Sequence, residues 1–316
     1  MNIQSISIVV PTKKCVNHCK CCVSCMHDSP YVDDFDPIQY RKRIKYAANN
    51  GVNTLILTAD NGEVLQNTPF LRKLSEVLDA EHHPFPNVEI QTTGVLLMNH
   101  TLMNKVVNDV ETGEKVKMYS YIPLLKKLGV NTISLSVFDV TSSENNWNIV
   151  DSPSAQRPSL STLTAFIKEN KFNLRISVNM INIYDKMSPE SILRSCKSLG
   201  ADQVTFRKLY HANDNSDQTK WTKENACNNS VFSKLEEYIA GEKWTNIAEW
   251  DFRKNPHGKS LYRLSFGAMA YSIMGMSTVI DDNCMSKEEN EKLKYVILRE
   301  NGKLYCQWDD EGSLIF

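Results

Sequence analysis

The chain has 316 residues, of which 41% are hydrophobic and 23% are charged, and this composition is typical of a folded globular protein. Its 36 lysine and arginine residues nearly balance its 37 aspartate and glutamate residues, which disfavours nucleic acid as a partner because a phosphate backbone is bound mainly through excess positive charge. No apolar run approaches the roughly 18 to 20 residues of a membrane span, so we expect a cytoplasmic protein with no membrane partner.

Strands and helices are predicted to alternate from the first residues onward. A strand over Ile6–Val10 leads through Pro11 into a loop that contains five cysteines, and a helix over 37–50 ends at Gly51. The same alternation continues as far as residue 207. The further predicted elements are a strand over 54–58, a helix over 69–78, a strand over 88–93, a helix over 120–128, a strand over 131–137, a helix over 160–170, a strand over 174–181, a helix over 189–199 and a strand over 203–207.

Six strands that alternate with helices through short loops predict parallel pairing with right-handed crossovers. Two folds satisfy this pattern, a partial βα barrel and a doubly wound sheet. In both of them, ligands bind at the carboxyl ends of the strands. The cysteine-rich loop follows the carboxyl end of the first strand, and it therefore belongs to the expected binding side.

The pattern changes after the sixth strand. The polar stretch 213–229 is the best linker candidate, and a helix is predicted over 232–239. Within 294–308, two strand-like runs flank an Asn-Gly turn, which predicts a hairpin that could cap an open sheet edge. We therefore divide the chain into a core over 1–212 and a C-terminal extension over 213–316 that covers the barrel mouth or edge.

Five of the nine cysteines lie within eleven residues, at positions Cys15, Cys19, Cys21, Cys22 and Cys25. This crowding and the odd total favour metal ligation in a reducing compartment over a disulfide framework. Cys15, Cys19 and Cys22 have the spacing C-x3-C-x2-C, which allows three thiolates to bind a [4Fe-4S] cluster and leaves the fourth iron open. With Cys25 as a fourth ligand, a closed electron-transfer cluster or a zinc site is the alternative.

The triad, placed directly after the first of six βα units, resembles the signature of the radical S-adenosylmethionine (SAM) superfamily. The resemblance covers residues 5–210 and implies a partial (β/α)6 radical-SAM-type barrel with a C-terminal helical and β-hairpin extension. It also implies two cofactors, a [4Fe-4S] cluster and SAM, with reductive cleavage of SAM to a 5′-deoxyadenosyl radical that abstracts a substrate hydrogen. Cys21 departs from the family pattern, since an aromatic residue usually precedes the third cysteine.

The resemblance implies SAM contacts on three further strands. Asn61, Gly62 and Glu63 resemble the Gly-Gly-Glu type motif that binds the SAM amino group, and carbonyls with a carboxylate are suitable acceptors for an ammonium. Ser136 and Asn179 occupy the fourth and fifth strands, where the family contacts the ribose. For both residues, an ordinary buried polar side chain is an equally good interpretation.

Arg207 ends the sixth strand, where its guanidinium could clamp a carboxylate or phosphate of SAM or of the substrate. A salt bridge at the barrel rim is the alternative interpretation. Weaker candidates for the substrate side are Tyr210, His211, Asp281, Asp282 and Cys284. Cys227, Cys284 and Cys306 include no short C-x2-C pair and give poor support for an auxiliary cluster.

These observations predict a radical SAM enzyme that acts on a small-molecule, nucleotide or peptide substrate and receives electrons from a reductant such as flavodoxin or ferredoxin. The alternative from a different class is a non-catalytic iron–sulfur electron-transfer or zinc-binding module that uses Cys25 as its fourth ligand. The sequence assigns no catalytic residue for the substrate step.

Overall fold

The structure is a computed structural model of the chain. It describes residues 3–23, 35–98, 106–108, 115–117, 121–154, 157–211, 214–243, 253–254, 256–264, 268–281, 295–308 and 311–316. Cys25, Asp282 and Cys284 lie outside the described residues, so the predictions made for them stay predictions. No helix in the described part of the chain is long and apolar enough to cross a membrane.

The described residues form strands and helices in nearly the predicted places. The strands are β1 (Ser5–Val10), β2 (Thr54–Ala59), β3 (Asn87–Thr92), β4 (Val106–Asn108), β5 (Lys115–Lys117), β6 (Thr132–Val137), β7 (Asn173–Met180), β8 (Gln203–Lys208), β9 (Glu242–Lys243), β10 (Arg253–Lys254), β11 (Lys259–Arg263), β12 (Met269–Ile273), β13 (Met276–Asp281), β14 (Tyr295–Leu298) and β15 (Leu304–Tyr305). The α-helices are α1 (Pro37–Asn49), α2 (Thr68–Ala80), α3 (Tyr121–Lys127), α4 (Ser143–Val150), α5 (Leu160–Glu169), α6 (Pro189–Ser198), α7 (Asp217–Asn225) and α8 (Asn229–Ala240).

Eleven of the strands form one sheet, in the order β11-β12-β13-β8-β7-β6-β3-β2-β1-β14-β15. The six central strands are parallel neighbours in chain order. A doubly wound sheet would reverse its strand order partway across, and these six strands show no such reversal. The order is that of a partial (β/α)6 barrel, and the predicted fold class is confirmed.

The C-terminal region extends the same sheet at both ends. β14 pairs in parallel with β1, and β15 folds back on β14 across the Asn301-Gly302 turn, which confirms the predicted hairpin. At the opposite end, β13 pairs in parallel with β8, and β12 and β11 follow in antiparallel order. The sequence analysis did not predict these last three strands. The domain boundary at 212/213 stays a prediction.

One prediction for the stretch 213–229 was wrong, because the proposed linker contains the helix α7. Ser216 caps this helix by accepting a hydrogen bond from the Thr219 backbone N–H, at 3.2 Å. The buried positions of α7 are Gln218, Thr219 and Thr222, which are all polar. Because these buried positions are polar, the spacing of apolar residues did not indicate a helix in this segment.

Tyr184, in the 3-10 helix Asn182–Lys186, lies in the core between β7 and the segment that follows β6. Its hydroxyl donates to the Phe138 carbonyl at 2.8 Å and accepts from the Val140 N–H at 3.3 Å, and burial raises the pKa of Tyr184 well above its usual value. Tyr184→Phe leaves two buried backbone groups without this partner. We expect the free energy of unfolding in urea to fall by about 1–3 kcal/mol. Exposed Tyr210→Phe is the control, and an unchanged midpoint in Tyr184→Phe would contradict the assignment.

Candidate functional site

The segment that follows β1, residues 11–23, is called the cysteine loop below. It starts where β1 ends and therefore lies at the carboxyl ends of the parallel strands. Cys15, Cys19 and Cys22 are half-buried on this loop, and none of the three forms a disulfide. The Cys22 N–H donates to the Cys19 carbonyl at 3.1 Å, and the Cys19 thiol donates to the Val150 carbonyl at the end of α4, at 3.4 Å.

Burial raises the pKa of the Cys19 thiol well above its usual value, and the neighbouring Cys21, Cys22 and Cys15 raise it further. A metal is bound by the thiolate, so its positive charge has to offset both the burial and this mutual repulsion. Among the described residues, no three His, Cys, Asp or Glu side chains already stand in metal-binding positions. The donor set nevertheless fits an iron–sulfur cluster by its chemistry, because three closely spaced thiols share one partly buried loop.

The loop after β2 lies directly against the start of the cysteine loop. The Thr12 hydroxyl donates to the Asp60 carbonyl at 2.9 Å, and Asn61 has a left-handed backbone with φ of 50°. A Cβ atom on Gly62 would stand 1.9 Å from Thr12 Oγ1 and 2.4 Å from Thr12 Cβ. A glycine is therefore required here by the close approach of the two loops.

Glu63 has its carboxylate buried beside the cysteine loop, with 5% of the residue exposed. Oε1 accepts from Asn17 Nδ2 at 3.0 Å, from the Thr93 N–H at 3.0 Å and from the Thr93 hydroxyl at 2.6 Å. Oε2 accepts from the Thr92 hydroxyl at 2.5 Å. Burial raises the pKa of Glu63, and these hydrogen bonds offset part of the rise. The predicted SAM contact is thus also a centre of internal hydrogen bonding.

Three residues that the sequence analysis missed hold the cysteine loop in place. Asn17 is buried within the loop and contacts Glu63. Gln66 accepts from the Glu63 N–H at 2.8 Å and donates to the Lys14 carbonyl at 2.8 Å. Gln218 on α7 donates to the Cys21 carbonyl at 3.1 Å. Only Gln66 carried a signal, since Glu-x-x-Gln is the spacing of a capping box.

The register of the sheet brings together the predicted strand residues. Asn179 on β7 stands opposite Arg207 on β8, and Arg207 stands opposite Asp281 on β13. Ser136 stands opposite Ser177, two residues below Asn179 on β7. Since side chains alternate along a strand, Ser136, Asn179 and Arg207 share one face of the sheet.

A cavity of about 540 Å³ lies on this face, mainly toward the amino ends of the strands, where Ser5, Thr54 and Thr132 line it. Of the predicted site residues it is lined by Arg207 and Asp281, but not by the triad cysteines, Asn61–Glu63, Ser136 or Asn179. Arg207 Nε and the Ser177 hydroxyl are buried and have no hydrogen-bond partner among the described residues. On the same wall, the Arg175 guanidinium binds the Glu89 carboxylate and donates through Nε to Gln203 Oε1 at 2.8 Å. The charged residues that line the cavity are Glu89, Arg175, Arg207 and Asp281.

The weaker candidates are more dispersed. Tyr210 and His211 are exposed after β8. Cys227 is buried, and its N–H donates to the Met180 carbonyl at the end of β7, at 3.2 Å. Cys306 directly follows β15, which is an edge strand of the sheet and is separated from β7 by five other strands. The described residues add nothing in favour of an auxiliary cluster.

No protein-family model matches the sequence, and the comparison with curated proteins gives no match. Among solved structures, the chain resembles anSMEcpe with bound AdoMet, at a TM-score of 0.49 and 13% identity over 74% of this chain and 58% of that one. The TM-score to HydG, a maturase of the [FeFe]-hydrogenase, is 0.45, with 13% identity over 74% of this chain and 49% of that chain.

Coproporphyrinogen III oxidase (HemN) from Escherichia coli is described as a radical SAM enzyme. Its TM-score to this chain is 0.37, with 14% identity over 69% of this chain and 46% of HemN. This chain therefore spans about half the length of the solved chains that it matches. HemN is thus described as a member of the superfamily that this chain resembles in sequence through the cysteine triad.

Proposed function

We propose that this chain is a radical SAM enzyme whose [4Fe-4S] cluster is bound by Cys15, Cys19 and Cys22. The observation that carries the proposal is the placement of the triad. Three half-buried cysteines that form no disulfide follow the first of six parallel strands with C-x3-C-x2-C spacing, and their loop lies against the Asn61–Glu63 segment after β2. Three protein ligands leave one iron of the cluster open for a small molecule.

When bound and reduced, the cluster supplies the electron that cleaves SAM to methionine and a 5′-deoxyadenosyl radical, which then abstracts a hydrogen atom from the substrate. In this proposal, the segment Asn61, Gly62 and Glu63 holds the methionyl ammonium of SAM. Ser136 and Asn179 offer a hydroxyl and an amide to the ribose. Arg207 holds an anionic group, because its buried Nε has a hydrogen bond still to make.

We place the substrate at the carboxyl ends of the six strands, where the cysteine loop and the Asn61–Glu63 segment meet. The cavity of about 540 Å³ lies mainly toward the amino ends of the strands and is not lined by the triad cysteines, so it does not identify the substrate site. The proposed substrate is a small molecule, a nucleotide or a peptide. The electron for SAM cleavage would come from a reductant of the flavodoxin or ferredoxin type.

The activity is tested by anaerobic reconstitution with iron and sulfide, followed by reduction with dithionite in the presence of SAM. We expect 5′-deoxyadenosine to accumulate with time, as the product of reductive SAM cleavage. The matched control is the variant with Cys15, Cys19 and Cys22 all changed to alanine, in which no product is expected. A wild-type chain that carries iron and sulfide but forms no product above the control would overturn the proposal.

A further inference from the structure

Asn17 lies between the first two cysteines of the triad, and its side chain contacts three other parts of the barrel. Asn17 Nδ2 donates to Glu63 Oε1 at 3.0 Å and to the Thr93 hydroxyl at 3.1 Å. Asn17 Oδ1 accepts from the Ser152 hydroxyl at 2.7 Å, just beyond α4. Both donor hydrogens and the acceptor oxygen of the amide are therefore in use.

The Glu63 carboxylate is also largely used by the protein, through three hydrogen bonds to Oε1 and one to Oε2. A carboxylate offers about four acceptor positions, and Glu63 receives four hydrogen bonds from the protein. Three of them converge on Oε1, which is the oxygen that contacts Asn17. With 5% of the residue exposed, little of this carboxylate is available to a ligand.

We propose that Asn17 and Glu63 form a positioning clamp for the cysteine loop, and that the Glu63 carboxylate serves this clamp rather than the ammonium of SAM. The ammonium is then left to the backbone carbonyls of the Asn61–Glu63 segment. Thr93 completes the clamp, because its hydroxyl accepts from Asn17 and donates to Glu63. This inference rests on the proposed function and assigns Asn17 as a positioning residue.

The clamp predicts a specific pattern in a double-mutant cycle. Asn17→Asp replaces the donating amide with a carboxylate that faces the Glu63 carboxylate, and two buried like charges in contact repel each other. Glu63→Gln removes the charge of Glu63. The amide oxygen of the new glutamine can still accept from the Thr93 N–H. The double variant again contains one carboxylate and one amide, so two like charges no longer face each other.

The first readout is the half-life of the reconstituted cluster under challenge with a chelator. We expect Asn17→Asp to shorten it by about five-fold or more, the effect of 1 kcal/mol or more. We expect Glu63→Gln to stay within about three-fold of wild type and the double variant to recover to within about two-fold, since contacting residues are coupled. The SAM dissociation constant of Glu63→Gln, from equilibrium dialysis, should change by less than about three-fold.

Two results would overturn the clamp. One is an additive double variant, with no recovery. The other is a Glu63→Gln variant that keeps its cluster but binds SAM about ten-fold more weakly or worse, which would assign the carboxylate to the ammonium. Asn170→Asp is the matched control, because this amide ends α5 at the opposite end of the barrel and donates only to the Phe166 carbonyl among the contacts shown.

The midpoint of thermal unfolding of the metal-free chain separates this inference from the proposed function. The clamp exists without metal, so Asn17→Asp should lower this midpoint by at least about 1.5 °C, and the double variant should restore it. If the wild type forms no SAM-responsive cluster but the thermal cycle shows recovery, the clamp stands and the proposed function fails. If the thermal cycle is additive, the clamp fails whatever the cluster does.

Discussion

Cys19→Ala is expected to reduce the iron and sulfide retained after anaerobic reconstitution by about ten-fold or more, and to abolish formation of 5′-deoxyadenosine. Cys15→Ala and Cys22→Ala should behave in the same way. The reason is that three ligands are the minimum that holds a cluster with an open iron, so the loss of any one leaves two irons without protein ligands. Iron and sulfide are measured per chain, and the product is quantified by mass spectrometry.

Two controls decide how many cysteines are needed. Cys196→Ala removes a fully buried thiol whose pKa burial raises to about 12, and it should retain the cluster because this thiol does not ionise near neutral pH. Cys25→Ala tests the four-ligand alternative. If Cys25→Ala loses iron as completely as Cys19→Ala does, the site has four thiolates, and the assigned open iron would be withdrawn.

Gly62→Ala is expected to lower the free energy of unfolding by about 3 kcal/mol, at the upper end of the range for overpacking. The added Cβ would stand 1.9 Å from Thr12 Oγ1, and it would also stand 2.4 Å from Thr12 Cβ, which a side-chain rotation cannot move. The two loops must therefore separate. Because Thr12 lies in the cysteine loop, we also expect a shorter cluster half-life in this variant.

The control for the Gly62 variant separates the clash from backbone strain. Gly51→Ala has open space around the new methyl group but a φ of +81°, so it reports the cost of strain alone. Thr12→Gly combined with Gly62→Ala removes the clashing atoms and should recover most of the lost stability. Urea denaturation measures all three variants, and a Gly62→Ala variant as stable as wild type would show that the loops are not in contact.

The central fold was predictable because each of its strands carries apolar residues at least at alternate positions and lies between a helix and a turn. The same reasoning failed at one sheet edge for a physical reason. All five residues of β11 are exposed, and β13 carries polar residues at Ser277, Thr278 and Asp281, which interrupt any apolar pattern, so neither resembles the buried strands of the core. β13 nevertheless joins the sheet, through its parallel pairing with β8.

The candidate site was predictable to the extent that its chemistry is local in sequence. The thiol spacing and the Asn61-Gly62-Glu63 tripeptide are both short motifs. The role of Asn17 was not predictable, because its three partners lie 46, 76 and 135 residues away along the chain. An asparagine in a loop is also a common turn residue, and its burial becomes visible only once the loops meet.

The most direct test of the proposed function is the electron paramagnetic resonance spectrum of the reconstituted and reduced chain, recorded before and after SAM is added. A cluster with an open iron gives a reduced [4Fe-4S] signal that shifts when SAM binds, and this is the result that we expect. A reduced cluster whose signal does not change with SAM, or a chain that binds zinc instead, would contradict the radical SAM assignment and favour the four-thiolate module.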